Sequence, residues 1–124
     1  MQLAKTYDAG GAIPAYTLVK FSADFTVVIC TGPTDRSIGV STEVDTASGD
    51  RVDVIRDDLT FVKLGGTVAA GDPLTSDSNG NAVTSAPAAT VTHAIIGYAE
   101  TSGVAGDIIK MNVEPGYLSN AANS

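Results

Sequence analysis

An all-β fold, a small barrel or sandwich built from two tandem repeats with little helix, is the class this sequence predicts, and three observations predict it. The first is internal duplication, since a unit of roughly 55 residues is written twice. Gly10-Gly11-Ala12-Ile13-Pro14-Ala15 answers to Gly65-Gly66-Thr67-Val68-Ala69-Ala70, Ile38-Gly39 to Ile96-Gly97, and Gly49-Asp50 to Gly106-Asp107. The second is periodicity. No stretch keeps apolar residues at helical spacing for long, whereas Arg51-Val52-Asp53-Val54 alternates with the period of a half-buried strand. The third is composition, in which 13 glycines and many Thr and Val residues favour short strands and tight turns over helices.

The elements follow in order. Residues 1–9 precede the first Gly-Gly and lie outside the repeat. Residues 16–21 predict a strand, Ser22-Ala23-Asp24 a turn, and 25–30 the antiparallel return. Thr31-Gly32-Pro33-Thr34-Asp35 is a loop by composition. Residues 36–43 predict a strand with Ile38 and Val40 on one face, and the turn at 46–50 leads into a strand at 51–55. Residues 59–64 form a short strand linking the two copies. In the second copy, strands at 73–78 and 81–85 flank Asn79-Gly80, a strong hairpin signal because both residues accept positive φ. Residues 86–89 are an irregular connection or a single helical turn. Residues 91–99 and 107–113 predict strands joined by a loop at 102–106.

The expected organisation is therefore an N-terminal arm at 1–9, one β-domain at 10–116 with copies at 10–64 and 65–116, and a C-terminal tail at 117–124. A chain of 124 residues has room for one domain with a modest core. Leu3 and Tyr7 are isolated apolar groups in the arm, as Tyr117 and Leu118 are before the tail. Either both ends are frayed termini, or one is an arm that orders on a partner by adding a strand to a sheet edge or seating its aromatic group in a pocket.

Several function classes are disfavoured. The formal net charge of −7 argues against direct nucleic-acid binding, which needs a basic footprint. The cations Lys5, Lys20, Arg36, Arg51, Arg56, Lys63 and Lys110 stand singly along the sequence. The lone Cys30 excludes an intrachain disulfide framework. The Met1 start lacks a charged then apolar leader, so no secretory signal is expected. The apolar run Val27-Val28-Ile29-Cys30 is far too short to span a bilayer, so no membrane partner is expected.

Candidate chemistry is sparse. Asp77-Ser78-Asn79-Gly80-Asn81 imitates the start of a calcium loop, but Ala82 stands where the sharp turn wants Gly and Ala88 where a bidentate Glu belongs. A hairpin turn fits better, and no metal or other cofactor is expected. Cys30 and His93 would make a nucleophile pair only if they met in space. Glu43 and Glu100 follow the two Ile-Gly landmarks, and a carboxylate pair can serve glycoside hydrolysis. However, the chain has no Trp platform for a sugar. Gly103-Val104-Ala105-Gly106 lacks the spacing of a phosphate loop. No catalytic residue is expected, and the enzyme class is set aside.

A family resemblance appears in these same segments. Gly71-Asp72-Pro73-Leu74-Thr75, then Asn79-Gly80, then Ile96-Gly97-Tyr98-Ala99 and the run at 105–113 beginning Ala105-Gly106-Asp107 resemble the capsid cement, or head decoration, proteins of tailed bacteriophages. Ile38-Gly39-Val40 and Gly49-Asp50-Arg51-Val52 look like that family's first half, so the likeness runs from Gly10 to Gly116. The resemblance implies a non-enzymatic virion protein, made in the host cytoplasm, on the outer surface of an expanded capsid. It further implies the major capsid protein as partner, self-association as a homotrimer at local threefold positions, and stabilisation by bridging capsid subunits. Chain termini often take part in such contacts, which singles out Leu3, Lys5 and Tyr7 in the arm. The alternative from another class is a glycan- or receptor-binding module on a virion or cell surface, using Tyr7, Tyr16, Tyr98 and Tyr117.

Overall fold

The alternating and glycine-punctuated segments form ten strands in the computed structural model, which describes residues 4–87 and 91–119. The first five are β1 (Ala4–Ala9), β2 (Leu18–Ala23), β3 (Thr26–Ile29), β4 (Gly39–Ser41) and β5 (Arg51–Ile55). They close into a barrel in the order β1-β3-β2-β4-β5, with β5 returning to β1. The other five are β6 (Asp58–Lys63), β7 (Pro73–Ser76), β8 (Ala82–Thr84), β9 (Thr92–Ala99) and β10 (Ile108–Ser119), in a sheet ordered β6-β10-β9-β7-β8. The class is all-β, as the sequence predicts.

The duplication is carried by topology and by individual hydrogen bonds. Walking the barrel as β1-β5-β4-β2-β3 gives the same path as β6-β10-β9-β7-β8 in the second sheet. The parallel β1–β3 contact that shuts the barrel is matched by one parallel bridge, Leu64 to Ala82. Ala9 N–H donates to Asp50 O at 2.9 Å, and Leu64 N–H to Asp107 O at 2.8 Å. Ile13 N–H donates to Thr46 O at 2.8 Å, and Val68 N–H to Gly103 O at 2.9 Å. The structure begins each unit one strand earlier than the Gly-Gly landmarks do. Residues 59–64, expected as a linker, are the opening strand of the second unit, and β1 in the expected arm is its counterpart in the first.

Both Ile-Gly landmarks have a steric reason. A Cβ on Gly39 would run into the carbonyl oxygen of Ile55, and one on Gly97 into that of Asn112. Each glycine therefore lets two strands cross closer than a side chain permits, as tight sheet closure requires. The Asn79-Gly80 hairpin forms with a different turn from the expected one. Only Gly80 takes positive φ, while Asp77 Oδ1 accepts from Asn79 N–H at 2.8 Å and Asn81 N–H at 3.0 Å. That carboxylate organises a three-residue loop with glycine last, the bulged hairpin type.

Two hydrophobic clusters organise the interior. Tyr7, Ala9, Ile13, Val19, Val27, Val52 and Val54 fill the barrel. Leu18, Cys30 and Val40 face the other way and join Val62, Leu64, Leu74, Ile96, Ile109 and Met111 of the second unit. Successive β-residues point to opposite faces, so Leu18 and Val19 serve different cores. The two units share one core.

Polar contacts pin the same junction. Leu18 N–H donates to Gly80 O at 2.8 Å and Lys63 N–H to Tyr16 O at 2.9 Å. Tyr16 sits at φ 55 where the second unit has Gly71, and its ring meets Phe61 edge-on at 6.3 Å. Pro33 O accepts from Ala94 N–H at 2.8 Å and from Thr75 Oγ1 at 3.1 Å. The loop carrying Pro33 is held by Asp35, whose carboxylate takes Thr31 N–H at 2.7 Å and Lys20 Nζ at 2.8 Å. Partial burial works to raise the Asp35 pKa, but these bonds outweigh it and hold the carboxyl below its ordinary value.

The C-terminal strand is longer than expected. β10 runs through Ser119, past Pro115, because the ladder slips between Val113 and Gly116. A proline is tolerated at such an irregularity. Tyr117 and Leu118, expected in a tail, pair with Ala94 and His93. Residues 86 and 87 are irregular rather than helical, and residues 88 and 89 lie outside the described residues.

Candidate functional site

The residues with catalytic potential are buried, bonded elsewhere or simply exposed. Cys30 is fully buried in the shared core, and burial pushes its thiol up to about 11 against a hydrogen bond from Ser37 that works the other way. His93 is half-buried, and its Nδ1 lies 2.9 Å from Ser85 Oγ. A thiol this high is un-ionised at neutral pH, so nucleophilic chemistry is disfavoured there. Iodoacetamide at pH 7.5 is expected to leave Cys30 unmodified in the folded protein and to label it on unfolding. Stability should fall as pH rises past the ordinary thiol range, where the unfolded chain ionises first, until about pH 11 where the folded thiol follows. Rapid labelling of folded protein at pH 7.5 would contradict this.

The other candidates are equally plain. The Asp77 carboxylate is occupied by its own turn. Glu43 and Glu100 are exposed, one beyond β4 and the other beyond β9. Among the described residues no group of three or more His, Cys, Asp or Glu is placed to hold a metal. No helix among them is long and apolar enough to cross a membrane. The four tyrosines do not gather into one platform. Tyr7 is buried, Tyr16 packs on Phe61, and Tyr98 and Tyr117 are exposed on β9 and β10.

The β2–β3 hairpin and the β1–β5 pair of the barrel build a different kind of site. Their side chains surround a depression of about 920 Å³. Tyr7 from β1 and Phe21 from β2 meet edge-to-face, with ring centroids 5.4 Å apart. Arg56, just beyond β5, donates from Nη1 to the Tyr7 hydroxyl at 2.9 Å. Its guanidinium carbon also lies 5.8 Å from the Phe21 ring centroid, within cation–π range. Lys5 and Thr6 form one wall, and Phe25 stands at the hairpin tip.

Phe25 is the unusual member. It sits at φ 53, a conformation that costs a bulky L-residue about 1–2 kcal/mol, and the residue is 75% exposed. Phe21 is 45% exposed as well. Smaller depressions border the first, one adding Lys20, Arg36 and Ile38 and another Asp8 and Arg51. Cations that stand singly in the sequence are thus collected, since five of the seven lie around this face. Chemically the site offers aromatic walls and hydrogen-bond-donating cations, suited to contact.

Two of the three contact residues picked from the sequence, Lys5 and Tyr7, line this depression, Lys5 exposed and Tyr7 buried in its floor. Leu3 lies outside the described residues. Sequence reasoning missed Phe21, Phe25 and Arg56. The available signal was two phenylalanines flanking the turn at 22–24, a place where turn chemistry favours small and polar residues.

A family model described as phage cement protein matches residues 2–114. No curated protein matches the chain. Among solved structures, the head fiber gp8.5 N base of bacteriophage phi29 is similar at 23% identity and a TM-score of 0.70. That match covers 92% of this chain and 95% of that one, and at this identity it speaks to the fold.

Proposed function

This chain belongs to the phage cement protein family, as a capsid-associated structural protein of the virion, and from that premise we propose that it stabilises an expanded head by bridging neighbouring major capsid subunits. The observation that carries the reading is the family match over residues 2–114. The shared core and the hydrogen bonds across the unit junction support it, because they make the two β-units a stiff body able to transmit load.

The proposed contact surface is the aromatic and cationic face around Lys5, Phe21, Phe25 and Arg56, with Tyr7 as its floor. Association as a homotrimer at local threefold positions belongs to the same proposal. It would add affinity through effective concentration rather than through any one strong contact. No catalytic step is part of the mechanism.

Binding restricted to the expanded lattice stabilises it by mass action, by about 2.7 kcal/mol per site at a hundredfold excess over Kd. Purified protein mixed with expanded heads lacking it is expected to co-sediment and to raise the temperature at which the heads open. Heads that open at an unchanged temperature despite bound protein would remove the stabilising role.

A further inference from the structure

We propose that the depression beneath the β2–β3 hairpin receives an acidic, aliphatic segment of a capsid subunit, its carboxylate between Lys5 and Arg56 and its apolar side chain against Phe21 and Phe25. The inference rests on the capsid-association reading and names the chemistry of the partner. Its first support is charge. Residues 1–56 carry five of the seven cations but only half of the fourteen acids, on a chain of net charge −7. Among the described residues Lys20 has a carboxylate partner in Asp35, whereas Lys5 and Arg56 have none. Asp24 is the single acid lining the depression.

Geometry supplies the second support. Arg56 is held by Tyr7 through one nitrogen and laid against Phe21, which leaves other guanidinium N–H groups to grip a carboxylate. A cation fixed in place before binding loses less freedom when its partner arrives. The third support is strain. Phe25 keeps a left-handed backbone while the residue is mostly exposed, so the isolated fold gains little packing from it. Strain retained for little packing gain is expected where a partner supplies the missing contact. About 920 Å³ accommodates a few side chains of an extended segment.

The test is co-sedimentation of the full chain with expanded heads, comparing wild type with Lys5→Glu/Arg56→Glu, Phe25→Gly and Lys63→Glu/Lys110→Glu. The first double variant and Phe25→Gly should each bind about tenfold or more weakly, and the second double variant, on the opposite unit, about as wild type. Phe25→Gly should keep a Tm at or above wild type, because glycine relieves the strained φ. Loss of binding then reports contact rather than misfolding. If the Lys5, Arg56 and Phe25 variants bind as wild type does, the inference is overturned and capsid association stands. If wild type itself fails to bind heads, the capsid reading falls and takes the inference with it. A parallel arm uses 3′-sialyllactose as a carboxylated glycan. Saturable binding that Lys5→Glu/Arg56→Glu abolishes, with head binding unchanged in that variant, would overturn the peptide occupant.

Discussion

Gly97→Ala is expected to destabilise the protein by about 3 kcal/mol or more, beyond the usual range for a single added methyl. The new Cβ has no open direction, because it meets the carbonyl oxygen of Asn112 and, behind it, the Met111 side chain at 3.2 Å. Relief requires β9 and β10 to part where Val113 pairs with Gly97, next to the slip that lets β10 continue past Pro115. At Gly39 the obstacle is the Ile55 carbonyl with Val54 Cγ1 at 2.8 Å, so Gly39→Ala should behave alike in the barrel. On a domain this size the loss corresponds to a Tm drop on the order of 10 °C. Calorimetry on the two variants checks it. A Tm within a few degrees of wild type for both would show that the strands yield easily and that the repeated Ile-Gly signature has another cause.

Leu18→Ala is the second large effect, expected at about 2–5 kcal/mol because a fully buried side chain leaves a cavity. Its position gives the experiment a further reading. Leu18 belongs to the first unit but packs in the cluster with Leu64, Leu74 and Ile96 of the second. Its backbone N–H is held by Gly80 O from the second-unit hairpin. The variant should therefore lower the stability of both units together, in one transition followed at Tyr7 in the barrel and at Tyr98 in the second sheet. Two separated transitions, with only the first shifted, would mean that the units fold independently and that the stiff-body argument fails.

Legibility of the fold in the sequence tracked how local its causes are. The strand at 51–55 was visible because Val52 and Val54 alternate with Arg51 and Asp53, and β5 spans those residues. The hairpin around Asn79-Gly80 was visible from its dipeptide, although the deciding group is the Asp77 carboxylate two residues earlier. β1 was not legible. Among the described side chains of β1, Tyr7 and Ala9 are the buried ones, and its partners are β5 and β3, distant in sequence. The same distance hid the site. Tyr7 and Arg56 meet because the β1–β5 ladder brings the two ends of the first unit side by side. The strain at Phe25 depends on a bulge between Phe21 and Ala23 that no residue type announces.

The most direct test of the account is an electron-microscopy map of expanded heads carrying this protein. The account predicts density for the two-unit body on the outer surface, spanning a boundary between neighbouring capsid subunits, with the Phe21–Phe25 hairpin turned toward the shell. Density seated within a single subunit, or with that hairpin facing solvent, would contradict it.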